Sequence, residues 1–595
     1  MLPEKPKPSY RSAHSRQRAL YSYLPFLRWL LHYQRQDLPG DVLAGAIAAI
    51  MLVPQSMAYA LLAGLPPQVG LYASIAPLIL YALLGTSRTL SVGPVATVSL
   101  LVATGVGKLA QPGSADYIAY ALALALLVGL IQVGMGIVRL GFLANYLSHA
   151  VISGFTSAAA LIIGFGQLKH LLGLSLPPTE SFLGLLGAIA PRLSETNPIT
   201  LGIGLSGIAI LLYGNTRLGS QLERWGVAPS WVTPVTRSSP LFVVLVGTLL
   251  VWWLRLDQVA DVNIVGAVPS GMPPITLPPV NWTLWQQLVP AALAISFVGF
   301  VESVAVGKSL ASKRRQTIDA NQELIGLGAA NLGAAVTGGF PVTGGLSRSI
   351  VNFQAGANTG LASIITALLI LLVVLFLTPL FYYLPQALLA STILVAVLGL
   401  LDWATLRLMW RYNKTDAASL LVTFFAVLAI GIEVGILVGI AASVILYLWR
   451  TSQPHIAVVG RVGNSEHFRN VRRHEVTTYP HLLIVRIDES LYFANTQYLE
   501  TQLRAAIATR PEITTLLLMG SGINFIDASA LESLERLIID FKDAGVECYL
   551  SEIKGPVMDR LTRVGFIEHL GPNHIFLSTH QAVKALAEGG DRPET

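Results

Sequence analysis

Long apolar stretches alternate with short polar turns through the first three quarters of this 595-residue chain. A helix rises about 1.5 Å per residue, so roughly 20 apolar residues cover the hydrocarbon core of a bilayer. Fourteen apolar runs stand out, at about 41–63, 67–85, 94–107, 115–138, 147–169, 197–214, 238–255, 287–310, 322–338, 345–356, 360–383, 385–401, 416–430 and 432–450. Three of them, 94–107, 345–356 and 416–430, are too short to cross fully. The runs 94–107 and 345–356 each hold third place in a set of seven, and each follows a break, Gly93-Pro94 in one and Gly338 through Gly345 in the other. Shortened helices at matching places in two halves predict an inverted repeat with a binding site near the midplane.

From about residue 454 the pattern changes. His455–Val459 and Leu482–Ile487 read as strands, Thr514–Met519 and Glu547–Ser551 as buried strands of the parallel kind. Amphipathic helices are expected between and after them, at Thr496–Thr509, Ala528–Ala544 and Pro556–Val564. Strand alternating with helix predicts a small α/β domain. The expected division is an N-terminal segment 1–37, a membrane domain 38–452, a soluble domain 453–588 and a flexible tail 589–595.

Charge sharpens this division. Only 12% of residues are charged, where a soluble protein carries about a quarter. Residues 451–595 hold 14 basic and 18 acidic side chains, and the 450 before them hold 25 and 15. The basic excess therefore lies in loops at a lipid surface, not on a nucleic-acid-binding face. An even number of crossings puts both termini on one side. With the N-terminus inside, the inner loops carry twelve basic residues, Lys308, Lys313, Arg314 and Arg315 among them. The outer loops carry four, Lys108, Lys169, Arg192 and Arg255. That bias predicts a plasma (inner) membrane protein with both termini cytosolic. Residues 1–36 set seven basic residues against Glu4, and the first apolar run is too long for a signal-peptide core, so it is expected to span and stay.

The sole cysteine, Cys548, allows neither an intrachain disulfide nor a cysteine metal cluster, and reads as a small buried residue. No Walker A, HExxH or GxSxG pattern occurs. Gly326-Leu-Gly328-Ala-Ala-Asn331 lacks the third glycine of a dinucleotide fingerprint and sits inside a membrane run. Neither enzymatic activity, nor ATP driving, nor a cofactor is expected.

Two charges fall where lipid makes them costly, Glu302 and Arg348. A charge mid-helix in a bilayer costs at least ~2.5–3.5 kcal/mol on insertion scales, so such residues face a polar cavity or one another. Two helix starts, near Val95–Thr97 and Leu346–Arg348, are predicted to aim at each other. Each carries unpaired N–H groups and about half a positive charge, which suits an anion and repels a cation. A divalent oxyanion sheds its hydration only for many donors, and the Ser347 hydroxyl, the Arg348 guanidinium and the helix-end amides would supply them. Gln55 and Tyr59 share one face of a membrane helix at i and i+4. They either line the same cavity or serve as an interhelix hydrogen bond and an interfacial aromatic. A carboxylate at Glu302 would repel the anion unless protonated, so Glu302 is a candidate carrier of a coupling proton.

Several stretches taken together are more specific. Val53-Pro54-Gln55-Ser56-Met57-Ala58-Tyr59-Ala60, Gly70-Leu71-Tyr72-Ala73-Ser74, Ser91-Val92-Gly93-Pro94, Asp319 through Asn331 and Ser347-Arg348-Ser349 resemble the SulP anion-transporter family, over roughly 38–595 and including a C-terminal STAS domain. The resemblance implies fourteen segments in two inverted seven-helix repeats of UraA-like type, divided into core and gate domains, an elevator movement and a homodimer. It implies an anion held by Gln55, Tyr59, Val95, Ala96, Ser347 and Arg348, with Glu302 at an acidic position that accompanies proton-coupled sulfate transport. Sodium-coupled bicarbonate or dicarboxylate uptake is the alternative within transport. An anion channel or motor, or a membrane-tethered STAS signalling protein, is the alternative outside it. Ser529, in Asn524-Phe-Ile-Asp527-Ala528-Ser529, matches the phosphorylated serine of anti-sigma-factor antagonists, through which a cytosolic regulator would act. Asp527 or Ser529 as a plain helix cap remains the other reading.

Overall fold

The computed structural model describes residues 24–145, 148–174, 182–228, 232, 234–236 and 238–587. The expected tail 589–595 and most of the N-terminal segment 1–37 lie outside the described residues. Cα proximity separates the chain into two units that meet in sequence at Ser443 and Val444.

The fourteen runs of the membrane unit appear as helices. The first seven are α1 (Leu38–Leu62), the pair α2 and α3 (Pro67–Tyr72 and Ala76–Leu84), α4 (Ala96–Gly107), α5 (Ala115–Ile137), α6 (His149–Leu172), α7 (Pro198–Thr216) and α8 (Ser239–Leu254). The second seven are α9 (Trp282–Lys313), α10 (Ala320–Val336), α11 (Leu346–Gln354), α12 (Leu361–Leu372), α13 (Gln386–Leu398), α14 (Lys414–Ile430) and α15 (Ile432–Thr451). Among the described residues, nine helical stretches are long and apolar enough to cross a membrane. α4 and α11 are short, as their glycine and proline breaks require.

Polar caps fix several helix starts. Ser114, Ser148, Asn197, Asn281, Asp319 and Asn413 each accept an N–H from the first turn that follows. Such caps explain why α9 and α10 begin ahead of their apolar runs, at Trp282 and Ala320.

The packing has the symmetry of an inverted repeat. α5 packs on α10, and the equivalent pair of the other half, α12 and α3, packs likewise. α9 on α5 is mirrored by α1 on α12, and α6 on α14 by α13 on α7. α6 on α13 maps onto itself. Small residues allow the closest of these approaches: a Cβ on Gly129 would lie 2.9 Å from the Gly328 carbonyl oxygen, and one on Gly328 would lie 2.8 Å from that of Gly129.

The soluble unit is a six-stranded sheet of order β4-β3-β5-β6-β7-β8. Its strands are β3 (Ile456–Arg461), β4 (Phe468–Asn470), β5 (Leu482–Ile487), β6 (Thr515–Met519), β7 (Glu547–Ser551) and β8 (Ile575–Phe576). β5 through β8 are parallel and β3 runs antiparallel to β5. Alternate residues of β5 enter different cores: Leu483, Val485 and Ile487 pack with residues of α16 (Thr496–Ala508), α17 (Ala528–Asp543) and α18 (Gly555–Arg563), whereas Leu482 and Ile484 pack with Ala582 and Val583 of α19 (Thr579–Leu586). Coverage of both faces is what a parallel sheet needs. Cys548 is free and buried, and burial pushes its thiol up to about 12.

Candidate functional site

The two chain breaks meet. β1 (Val92–Gly93) and β2 (Thr343–Gly344) form an antiparallel pair with Val92 opposite Gly344 and Gly93 opposite Thr343. α4 and α11 therefore leave one short ladder in opposite directions, N-terminus towards N-terminus. The ladder extends by one backbone and one side-chain bond: Gly345 N–H donates to the Ser91 carbonyl at 3.0 Å, and Ser91 N–H donates to Ser349 Oγ at 2.9 Å. Irregular backbone at membrane depth persists only where its polar groups are satisfied inside the protein. α9 and α10 complete that satisfaction. Ser303 Oγ lies 2.8 Å from Thr343 Oγ1 and accepts from Gly344 N–H, and Asn331 clasps Val342 through both its oxygen and its nitrogen.

Arg348 occupies the gap between the helix starts. Its Nη1 donates to the Pro94 carbonyl at 2.7 Å, across the repeat boundary. The residue is 2% exposed, and its Nε and Nη2 have no acceptor among the described residues. Gly93 and Gly345 make room, since a Cβ on either would lie 3.3 or 2.8 Å from the guanidinium. Val95 is extended ahead of α4 and Ala96 opens that helix, and both are buried. α1 packs against α4 and α11. It brings Gln55 and Tyr59, both buried, to this region. Ser347 is exposed in the first turn of α11.

Glu302 comes from the middle of α9 and accepts from Thr97 Oγ1 in the first turn of α4 at 3.2 Å. Glu302 and Arg348 thus serve different partners rather than each other. Sequence reasoning gave no role to Thr97, Ser303, Asn331 or Thr343. For Thr97, Ser303 and Asn331 the signal was a polar side chain within an apolar run, and for Thr343 only its place in the break Gly338 through Gly345.

Ser529 lies elsewhere, in the soluble unit. It is exposed in the first turn of α17. Asp527 is the cap: its Oδ1 accepts from Ala530 N–H at 2.7 Å, and its Oδ2 accepts from Phe493 N–H at 2.9 Å. Ser529 is thus left uninvolved in capping.

The sequence profile of the sulfate permease family matches residues 38–423, and that of the STAS domain matches residues 473–582. The chain belongs to the sulfate permease family. Among sulfate permease relatives it is 36% identical to sulfate transporter 4.1, chloroplastic, of Arabidopsis thaliana, over 95% of this chain and 82% of the relative. It is 31% identical to high affinity sulfate transporter 2 of Stylosanthes hamata, over 98% and 89%. Its fold matches the overall structure of SLC26A9, with a TM-score of 0.86, 26% identity and coverage of 98% of this chain and 96% of that one. The murine Slc26a9 anion transporter in the inward-facing state gives the same TM-score at 27% identity, covering 99% and 97%. The chain is accordingly a multi-pass anion transporter of the sulfate permease family with a C-terminal STAS domain, and not an enzyme.

Proposed function

We propose that this protein carries sulfate across the membrane together with protons, by an elevator-type movement of a core domain against a gate domain. The observation that carries the reading is the buried Arg348 guanidinium, with two nitrogens lacking acceptors among the described residues, between two opposed helix N-termini. A buried guanidinium with only one of its three nitrogens satisfied is costly, and an oxyanion seated there would accept from Nε, Nη2 and the amides at the starts of α4 and α11. Gln55, Tyr59, Val95, Ala96 and Ser347 would complete the pocket. Sulfate is favoured by the names of the plant relatives.

Glu302 would carry the coupled proton, because it shares the first turn of α4 with the anion through Thr97. The transport domain would span 38–452 and the STAS domain 453–588, with the protein acting as a homodimer in the plasma membrane and both termini cytosolic, as the basic-residue bias favours. Exposed Ser529 would be the point at which a cytosolic regulator acts.

The test is sulfate uptake by purified protein in proteoliposomes under an imposed proton gradient, an imposed sodium gradient, or neither. A proton gradient should drive accumulation and a sodium gradient should not. Accumulation driven by sodium alone would replace the proton reading with the sodium-coupled one. Sulfate current without accumulation under either gradient would point to a channel.

A further inference from the structure

A polar cavity of about 470 Å³, whose lining does not include Arg348, lies at one end of the membrane unit. Three elements distant in sequence converge on it: the short helix Phe26–Leu31, the turn after α3 and the turn after α9. Each contributes an arginine, Arg28, Arg88 and Arg315 respectively. Among the described residues, no carboxylate forms an ion pair with any of the three. The lining carboxylate, Asp319, caps α10 through Oδ1. A fourth guanidinium nearby, Arg314, turns away to the carbonyls of Ala357 and Phe353 and the Asn358 side chain.

The site is built rather than accidental. Glu323, wholly buried, fixes the turn that carries Arg88: its Oε1 accepts from Thr86 N–H at 2.7 Å, Thr86 Oγ1 at 2.6 Å and Ser87 N–H at 3.0 Å. Trp29 docks the short helix, packing against Gly360 where a Cβ would lie 3.3 Å from the indole. Arg315 has a φ of 54°, the left-handed conformation that favours glycine. That conformation ends α9 in a Schellman turn, with Gln316 N–H donating to the Ala311 carbonyl at 2.9 Å and Arg315 N–H to that of Ser312 at 3.1 Å, and so fixes the backbone from which Arg315 projects.

The surroundings indicate where the ligand comes from. On the short helix Leu30 and Leu31 are 52% and 64% exposed, and Leu38 and Val42 at the start of α1 are also exposed. A helix with bare leucines, an arginine and a docked tryptophan at the end of a membrane bundle lies at headgroup depth. We propose that Arg28, Arg88 and Arg315 form a binding site for a phosphate-bearing anion, supplied by the headgroup of an acidic phospholipid. This site is independent of the transported ion and of the transport reading above. Free phosphate has the same oxyanion chemistry and is the other possible source.

The experiment measures binding to the full chain in neutral detergent of three probes: dioctanoyl phosphatidylglycerol, dioctanoyl phosphatidylcholine and inorganic phosphate. The triple variant Arg28→Gln, Arg88→Gln, Arg315→Gln is compared with the double variant Arg407→Gln, Arg411→Gln, which removes positive charge elsewhere. Phosphatidylglycerol should bind wild type better than phosphatidylcholine, and should bind the triple variant at least about tenfold more weakly, with the double variant within about twofold of wild type. Arg315→Gly relieves the left-handed strain while deleting one charge, so it should fold at least as well as wild type and bind about threefold more weakly. Inorganic phosphate binding that depends on the same arginines, without any phosphatidylglycerol preference, would keep the site and assign it to free oxyanion. Equal binding of both anions by wild type, triple variant and Arg315→Gly would overturn the proposal, as would equal losses in the triple and double variants.

Discussion

Arg348 donates through Nη1 to the carbonyl of Pro94 at 2.7 Å, so a residue of the second repeat closes the break of the first. The same guanidinium leaves Nε and Nη2 without an acceptor among the described residues. Arg348→Gln removes the charge and the fork, and sulfate uptake in proteoliposomes should fall by at least about 100-fold, as for loss of a buried charge-assisted contact. Arg348→Lys keeps the charge but cannot hold Pro94 and an oxyanion together, so it should recover only a small part of the rate. Wild-type uptake by the glutamine variant would show that the anion sits elsewhere.

Two glycines separate damage to the site from damage to the fold. At Gly345 φ is −92°, which any residue adopts, but a Cβ would meet Arg348 Cζ at 2.8 Å. Gly345→Ala should leave a monodisperse protein with little uptake. At Gly70 a Cβ would lie 1.9 Å from the Ser56 carbonyl oxygen, backbone against backbone. Gly70→Ala should destabilise on the order of 3 kcal/mol and reduce the yield of folded protein. Size-exclusion profiles beside uptake rates distinguish the two.

The Thr97–Glu302 hydrogen bond ties the carboxyl group to the start of α4. Glu302→Gln should abolish acceleration of uptake by a proton gradient while sulfate-for-sulfate exchange continues. Thr97→Val deletes one hydrogen bond, worth about 1.5–3 kcal/mol when its acceptor is charged. It should move the midpoint of the pH–rate profile without abolishing uptake. An unchanged gradient response in Glu302→Gln would remove Glu302 from the coupling role.

Stability of the soluble unit should depend on acid through Asp488. Burial alone would raise its carboxyl pKa, but hydrogen bonds and charge from Arg486 at 2.5 Å and His455 at 2.6 Å outweigh burial and hold it below the ordinary value. A depressed carboxyl contributes stability above the unfolded-state pKa of about 4, and that contribution is lost as pH falls through the folded-state value. The side chain is 28% exposed, so the contribution is on the order of 1 kcal/mol or less. Protection factors of the β3 and β5 amides in the full chain, measured against the intrinsic exchange rate at each pH, should therefore fall below about pH 4. In Asp488→Asn the exchange should be faster at neutral pH and lose that part of its acid sensitivity.

Hydropathy marks all fourteen membrane segments because each must be apolar over most of its length, whatever its neighbours are. Strands β5 and β7 have the expected bounds: β5 is apolar at five of its six positions, and β7 carries the buried apolar run Cys548–Leu550 between Glu547 and Ser551. β4 and β8 were not legible: three and two residues long, they are strands only because β3 and β7 are beside them. The same holds at the candidate site. Gly93-Pro94 and Gly338–Gly345 announce broken helices, but the register of Val92 against Gly344 is set by α9 and α10 through Ser303 and Asn331. Asp527 rather than Ser529 caps α17 because Phe493 N–H, from a distant turn, holds its second oxygen. No local pattern decides between two capping candidates only two positions apart.

The ladder between the two breaks joins residues 258 positions apart, Ser91 and Ser349. At 5–20 residues per second, synthesis of the intervening chain takes roughly 10–50 s. During that interval the peptide groups around Val92 and Gly93 lack their partner strand while the flanking helices are already made. An unpaired amide in hydrocarbon costs several kcal/mol, so the first repeat is not ready for lipid on its own. Its early helices must wait in a wetter or proteinaceous shelter, such as the insertion machinery, until the ribosome has delivered the other half.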